Sequence, residues 1–67
     1  MERTPIDQFA HDVRSPLSAI LGFSELLRDG KVGPVSPEQR ECLTHIADSA
    51  RAIARAVEAL EERPPAH

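Results

Sequence analysis

Asp29-Gly30-Lys31-Val32-Gly33-Pro34-Val35-Ser36-Pro37-Glu38-Gln39 splits this 67-residue chain into two similar halves. Gly30 suits the left-handed position that ends a helix. Gly33-Pro34 is a breaker pair. Ser36-Pro37-Glu38-Gln39 then reads as a helix start. Serine is the cap, proline fits the first helical position, and Gln39 completes a capping box. The stretch is therefore a short connection between two helices.

Upstream, Thr4-Pro5-Ile6-Asp7 gives a second helix start, with a capping hydroxyl, a proline and an acid near the positive end of the helix dipole. Apolar or small residues then recur at Ile6, Ala10, Val13, Leu17, Ile20, Ser24 and Leu27. Their spacing alternates between four and three, the pattern of a heptad seam. Phe9 and Phe23 flank the seam on one side and Leu21 on the other, which widens it to suit a four-helix bundle. Downstream, Leu43, Ile46, Ala50, Ile53, Val57 and Leu60 repeat the spacing, and Ala47 and Ala54 beside them permit close helix approach.

The pattern predicts an all-α fold, with helices over about 5–29 and about 37–62, each about 37 Å long. A short loop between equal helices makes an antiparallel hairpin. Two helices alone bury little surface, so two hairpins are expected to pair as a homodimeric four-helix bundle. One domain over 1–63 is expected, with 64–67 (Pro64-Pro65-Ala66-His67) as a tail or the start of a linker. That tail favours a piece of a larger protein over a free-standing module.

The formal net charge is −3, and the basic residues are scattered rather than clustered. Nucleic acid is therefore not the expected partner. No apolar run spans a bilayer and the N-terminus does not read as a signal peptide, so no direct membrane insertion is expected. The expected location is cytoplasmic, including the cytoplasmic part of a membrane sensor. Cys42 is the lone cysteine, which fits a reducing compartment, and it reads as a small apolar filler.

Chemistry concentrates in Phe9-Ala10-His11-Asp12-Val13-Arg14-Ser15-Pro16-Leu17. With Val13, Leu17 and Ile20 facing inward, His11 lies roughly 150° away, on the outside. Ser15 and Ser18 share or border that face, as does Arg14. Asp12 lies to the side, and its carboxylate reaches the imidazole only through a choice of rotamer. An acid there can orient and polarise the ring, leaving the other nitrogen a better nucleophile. Arg14 can donate to phosphoryl oxygens. Pro16 removes the hydrogen bond to the Asp12 carbonyl and is expected to bend the helix. The cluster suits a phosphorylatable imidazole presented to large protein partners.

His11-Asp12-Val13-Arg14-Ser15-Pro16-Leu17, followed by Ala19-Ile20-Leu21-Gly22-Phe23-Ser24-Glu25-Leu26-Leu27, resembles the H-box of bacterial sensor histidine kinases. The region it resembles is their dimerisation and histidine phosphotransfer domain. The likeness continues through Gly33-Pro34-Val35-Ser36-Pro37-Glu38-Gln39-Arg40 and covers nearly the whole chain. The resemblance implies that His11 is the phosphoacceptor and Asp12 the general base. It implies that Arg14 contacts phosphate or a partner, that Ser15 takes a phosphatase role, and that Pro16 is the helix-bending proline. The acid is Asp12 where glutamate is commoner. Ser15 lacks the methyl of the threonine often found there, so its rotamer is less constrained.

The implied function is to take phosphate on His11 from ATP held by a separate catalytic domain and pass it to an aspartate of a response regulator. The implied partners are a second copy of the chain, the ATP-binding kinase domain and the regulator's receiver domain. The chain itself has no glycine-rich loop and no magnesium-binding set, so ATP and Mg2+ are expected on the catalytic domain and no cofactor here. It is not a kinase alone. The alternatives are a structural dimerisation module and a decoy that binds without taking phosphate.

Outside this cluster, His45 lies off the seam and reads as a solvated helix residue, and His67 falls in the tail. No metal site is expected, because His11, Asp12 and His45 lack paired ligands on one face. Arg40, Glu41, Arg51, Arg55, Glu58, Glu61 and Glu62 read as a solvated charged face. Regulator contacts are expected along the first helix below His11, towards Phe23, and on the facing second helix.

Overall fold

Thr4 opens the first helix, α1 (Pro5–Arg28), by accepting a hydrogen bond from the Asp7 amide at 3.0 Å. Pro5 takes the first helical position, where its missing N–H costs nothing. The computed structural model describes residues 4–62. Among them are two helices, α1 and α2 (Pro37–Glu61), packed side by side as a hairpin. Each helix ends one residue before the boundary that the pattern predicts, with Asp29 and Glu62 as the capping residues. The expected tail at Pro64-Pro65 lies outside the described residues.

The turn follows from local chemistry. Gly30 adopts φ 76°, a conformation that costs any residue with a Cβ. Its amide donates to the Leu27 carbonyl at 3.1 Å, and the Lys31 amide donates to Leu26 at 3.0 Å. This is the two-bond Schellman closure, and it satisfies carbonyls that the end of α1 leaves open. Ser36 and Gln39 form the reciprocal capping box of α2. The Ser36 side chain accepts from the Gln39 amide at 3.0 Å, and the Gln39 side chain accepts from the Ser36 amide at 2.8 Å. Arg40 ties the two ends together, donating through Nη1 to the Arg28 carbonyl at 2.5 Å.

The molecule measures 52 × 20 × 11 Å. Eleven ångströms is about one helix diameter, so the hairpin is a single layer with two broad faces and no enclosed interior. The residues buried between the helices are small: Ala10, Ser24, Ala47, Ala50 and Val57. Ala10 and Ala47 are fully covered, each at its own level of the hairpin, so the helices approach closely at both. Ser24 is satisfied inside this contact by donating to the Ile20 carbonyl at 2.6 Å.

The expected seam divides in two. Ala10, Val13, Leu17 and Ser24 turn towards α2, joined by Leu21, which the pattern places at the margin. Ile6, Ile20 and Leu27 do not; they stay exposed, as do Ile46, Ile53 and Leu60 on α2. A heptad stripe wide enough for a bundle has two partners to serve, and one neighbouring helix covers only half of it.

Ala47 tests the close contact. Ala47→Leu adds volume where the methyl is already fully covered and is expected to cost about 1–3 kcal/mol. Ala52→Leu, on an exposed position of the same helix, should leave stability nearly unchanged. Urea unfolding followed by circular dichroism compares the two.

Candidate functional site

At about 100° per residue, His11 and Ile20 point in opposite directions from α1. Ile20 belongs to the apolar broad face with Ile46 and Ile53, which line one shallow groove together with Leu17 and Ala50. His11 therefore stands away from that apolar face, and it is exposed. Ser15, one turn later, is exposed as well, and so is Ser18.

Asp12 is exposed beside the ring but engaged elsewhere. Its Oδ1 accepts a hydrogen bond from Gln8 Nε2 at 2.9 Å, one turn back along the helix. The side-by-side placement expected from the sequence is present, and the rotamer found turns the carboxylate to Gln8. Both residues are on the surface, so exchange of that bond for one to the imidazole costs little.

Pro16 sits within an unbroken α1. It has no N–H to give the Asp12 carbonyl, so the backbone oxygen beside the site keeps a free acceptor. Arg14 departs from the outward placement expected of it. Its Nη2 donates to Glu61 Oε1 at 2.7 Å, reaching across the hairpin to the last residue of α2. The structure thus brings His11, Asp12, Ser15 and Pro16 together on α1 and turns Arg14 towards α2.

A second cross-hairpin pair joins Glu25 to Arg51, which also bonds Asp48 at 3.2 Å. The sequence pattern places Arg51 and Glu61 in a solvated face with partners on their own helix. Helical side chains lean towards their own N-terminus, so in an antiparallel pair an α1 residue and an α2 residue lean towards each other. That lean, applied to Arg14 and Glu25 against the acids and bases of α2, is the signal that points to the cross-hairpin partners.

Below His11, Ala19, Gly22, Phe23 and Leu26 line an open apolar groove of about 290 Å³. Phe23 is 66% exposed. It lies about 18 Å along the helix from His11.

The chain matches the family model of the His Kinase A (phospho-acceptor) domain over residues 3–63. It belongs to that family. Curated relatives of this HisKA domain include the sensor histidine kinases GlrK of Escherichia coli K12 and QseE of Escherichia coli O157:H7. Each is 35% identical over 51 residues, covering 76% of this chain and 11% of the relative. The cell-division control histidine kinase PdhS of Brucella ovis is 47% identical over 32 residues, 48% of this chain and 3% of the relative. The HisKA domain thus corresponds to a small part of each of these kinases. No solved structure matches it significantly. Among the described residues no helix is long and apolar enough to cross a membrane.

The Arg14–Glu61 pair is solvent-accessible, with 56% and 28% of the two side chains exposed. A double-mutant cycle of Arg14→Gln and Glu61→Gln is expected to give a coupling of about 0.5 kcal/mol, the size usual for surface pairs. Thermal or urea unfolding of the four variants measures it.

Proposed function

We propose that His11 is the phosphoacceptor of a two-component sensor histidine kinase, and that this chain is the kinase's dimerisation and phosphotransfer domain. The single observation that carries the reading is the exposure of His11 on the side of α1 opposite the apolar broad face. A ring placed there stays open to other proteins after the apolar face has been covered.

ATP with Mg2+, held by a separate catalytic domain, supplies the γ-phosphoryl group. A nitrogen of His11 attacks phosphorus, the N–P bond forms, and the bond to the ADP oxygen breaks as ADP leaves. Asp12, released from Gln8, takes the proton of the other ring nitrogen and offsets the positive charge that grows on the imidazole. Pro16 gives the local backbone its open acceptor. A carboxylate of a response regulator then attacks the phosphorus on His11, the N–P bond breaks, and an acyl phosphate forms on the regulator. In the reverse sense of signalling, Ser15 orients water during dephosphorylation of the regulator. The apolar groove from Ala19 to Leu26, with exposed Phe23, is the surface along which the regulator seats.

The second copy is required by what the hairpin leaves uncovered. Among the described residues no large side chain is fully buried. Ile6, Ile20, Leu27, Ile46, Ile53 and Leu60 remain on the surface, a load that an isolated two-helix layer does not carry in water. Stacking two hairpins on these faces completes a four-helix bundle. The dimer, its kinase domain and the regulator belong to the cytoplasmic side of the signalling pathway.

Incubation with the cognate ATP-binding domain and γ-labelled ATP is expected to label one acid-labile site, which His11→Gln abolishes. Asp12→Asn should slow labelling about 10²-fold or more while leaving helicity intact, as loss of a general base does. Absence of label on the wild-type chain would leave a structural module or a decoy as the reading.

Sedimentation equilibrium tests the second copy. The wild-type chain is expected as a dimer. Ile53→Asp, which sets a charge in the face to be covered, should shift it to monomer with loss of helicity. A folded wild-type monomer contradicts the proposal.

A further inference from the structure

The partner of Arg14 is the feature the phosphotransfer reading does not use. Arg14 follows His11 by three residues, close enough on a helix for their side chains to meet. Yet it is committed to Glu61 at the opposite end of the chain. Only one of its five guanidinium N–H donors is engaged in that bond, and more than half of the side chain is in solvent. The pair is therefore within reach of a competitor. A phosphoryl group on His11 carries up to two negative charges and three acceptor oxygens, against one charge on a carboxylate.

The other end of the pair also has an interest in the outcome. The last turns of α2 hold Glu58 and Glu61, with Glu62 at the cap and no basic residue in the last turn. Negative charge there opposes the helix dipole. Among the described residues, Arg14 is the cation that the structure brings to this end from the other helix.

We propose that Glu61 is a positioning residue for the phosphotransfer histidine: it holds Arg14 against the end of α2, away from His11, in the unphosphorylated chain and yields it to the phosphoryl group, which draws that countercharge away from the last turn of α2. The proposal rests on His11 being the phosphoacceptor. It adds a coupling between the state of the imidazole and the end of α2.

Phosphoramidate tests this without any kinase domain. It transfers its phosphoryl group to an imidazole nitrogen, the N–P bond forming as the reagent's own P–N bond breaks and ammonia leaves with the ring proton. The full chain carrying His45→Gln and His67→Gln leaves His11 as the one imidazole. In that background Glu61→Gln is expected to raise the rate of phosphohistidine formation roughly threefold, in keeping with the loss of one exposed pair. Glu61→Asp restores the parent rate. Arg14→Gln falls below the parent, and adding Glu61→Gln to it changes nothing further.

Amide hydrogen exchange supplies the independent readout. Phosphorylation of His11 should speed exchange at residues 58–62 by a similar factor in the parent, and not in Arg14→Gln, where the countercharge is already gone. An effect of Glu61→Gln that survives the loss of Arg14 overturns the proposal. So do equal rates in all variants, exchange at 58–62 that ignores phosphorylation, and failure of His11 to take the phosphoryl group. If ATP and the cognate catalytic domain label His11 while these variants behave alike, the coupling is wrong and the phosphoacceptor reading stands. If phosphoramidate reveals the coupling and the cognate domain does not label His11, the reverse holds.

Discussion

The packing of small residues between the helices, Ala10 and Ser24 on α1 and Ala47 and Ala50 on α2, governs the rest of this molecule. Helices that meet at methyl groups lie near enough to pack tightly, but such a contact holds few carbon atoms. Its contribution to stability is correspondingly small. The aliphatic side chains that one neighbouring helix does not reach, Ile6, Ile20, Leu27, Ile46, Ile53 and Leu60, stay exposed. From this follow the uncovered apolar side and the exposure of His11 away from it. An alanine seam makes the hairpin narrow, and narrowness leaves its chemistry on the outside.

Much of this is legible in the amino-acid sequence, because much of it is local. Thr4, Ser36, Gln39 and Gly30 act within one turn of themselves, so their types and spacing suffice to place both helix starts and the turn. The outward direction of His11 is equally readable, since it depends only on the helical period and the position of Val13, Leu17 and Ile20. The heptad pattern is less informative about Ile20 and Leu27. A repeat of three and four says that a residue is apolar and on the stripe; it does not say which neighbour covers it. Leu21, set at the margin by the period, is better covered than Ile20, because one neighbouring helix reaches only part of the stripe.

The charged residues are harder still. Arg14 reads as a phosphate contact bordering the face of His11, and Arg51 as a member of a solvated face with partners on its own helix. Their actual partners, Glu61 and Glu25, are far away in sequence and depend on the register of the hairpin together with the lean of side chains towards each helix's N-terminus. Neither quantity is visible in a single heptad. The site residues fare unevenly for the same reason. His11, Asp12, Ser15 and Pro16 are neighbours on one helix and stay together, whereas the fate of Arg14 is decided by the other helix.

The ends of the rod are built differently. At the turn, the Schellman closure, the capping box and the bond from Arg40 to the Arg28 carbonyl lock both helices to one another. Towards the termini the fastening is by side chains, with Ala10 and Val57 buried between the helices and Arg14 paired with Glu61. The hairpin is thus mechanically a pair of tongs, riveted through its backbone at the pivot and gripped by side chains along the arms. The H-box lies on an arm, about 25 Å from the pivot, so its distance from α2 is set by side-chain packing and not by the backbone locks of the turn.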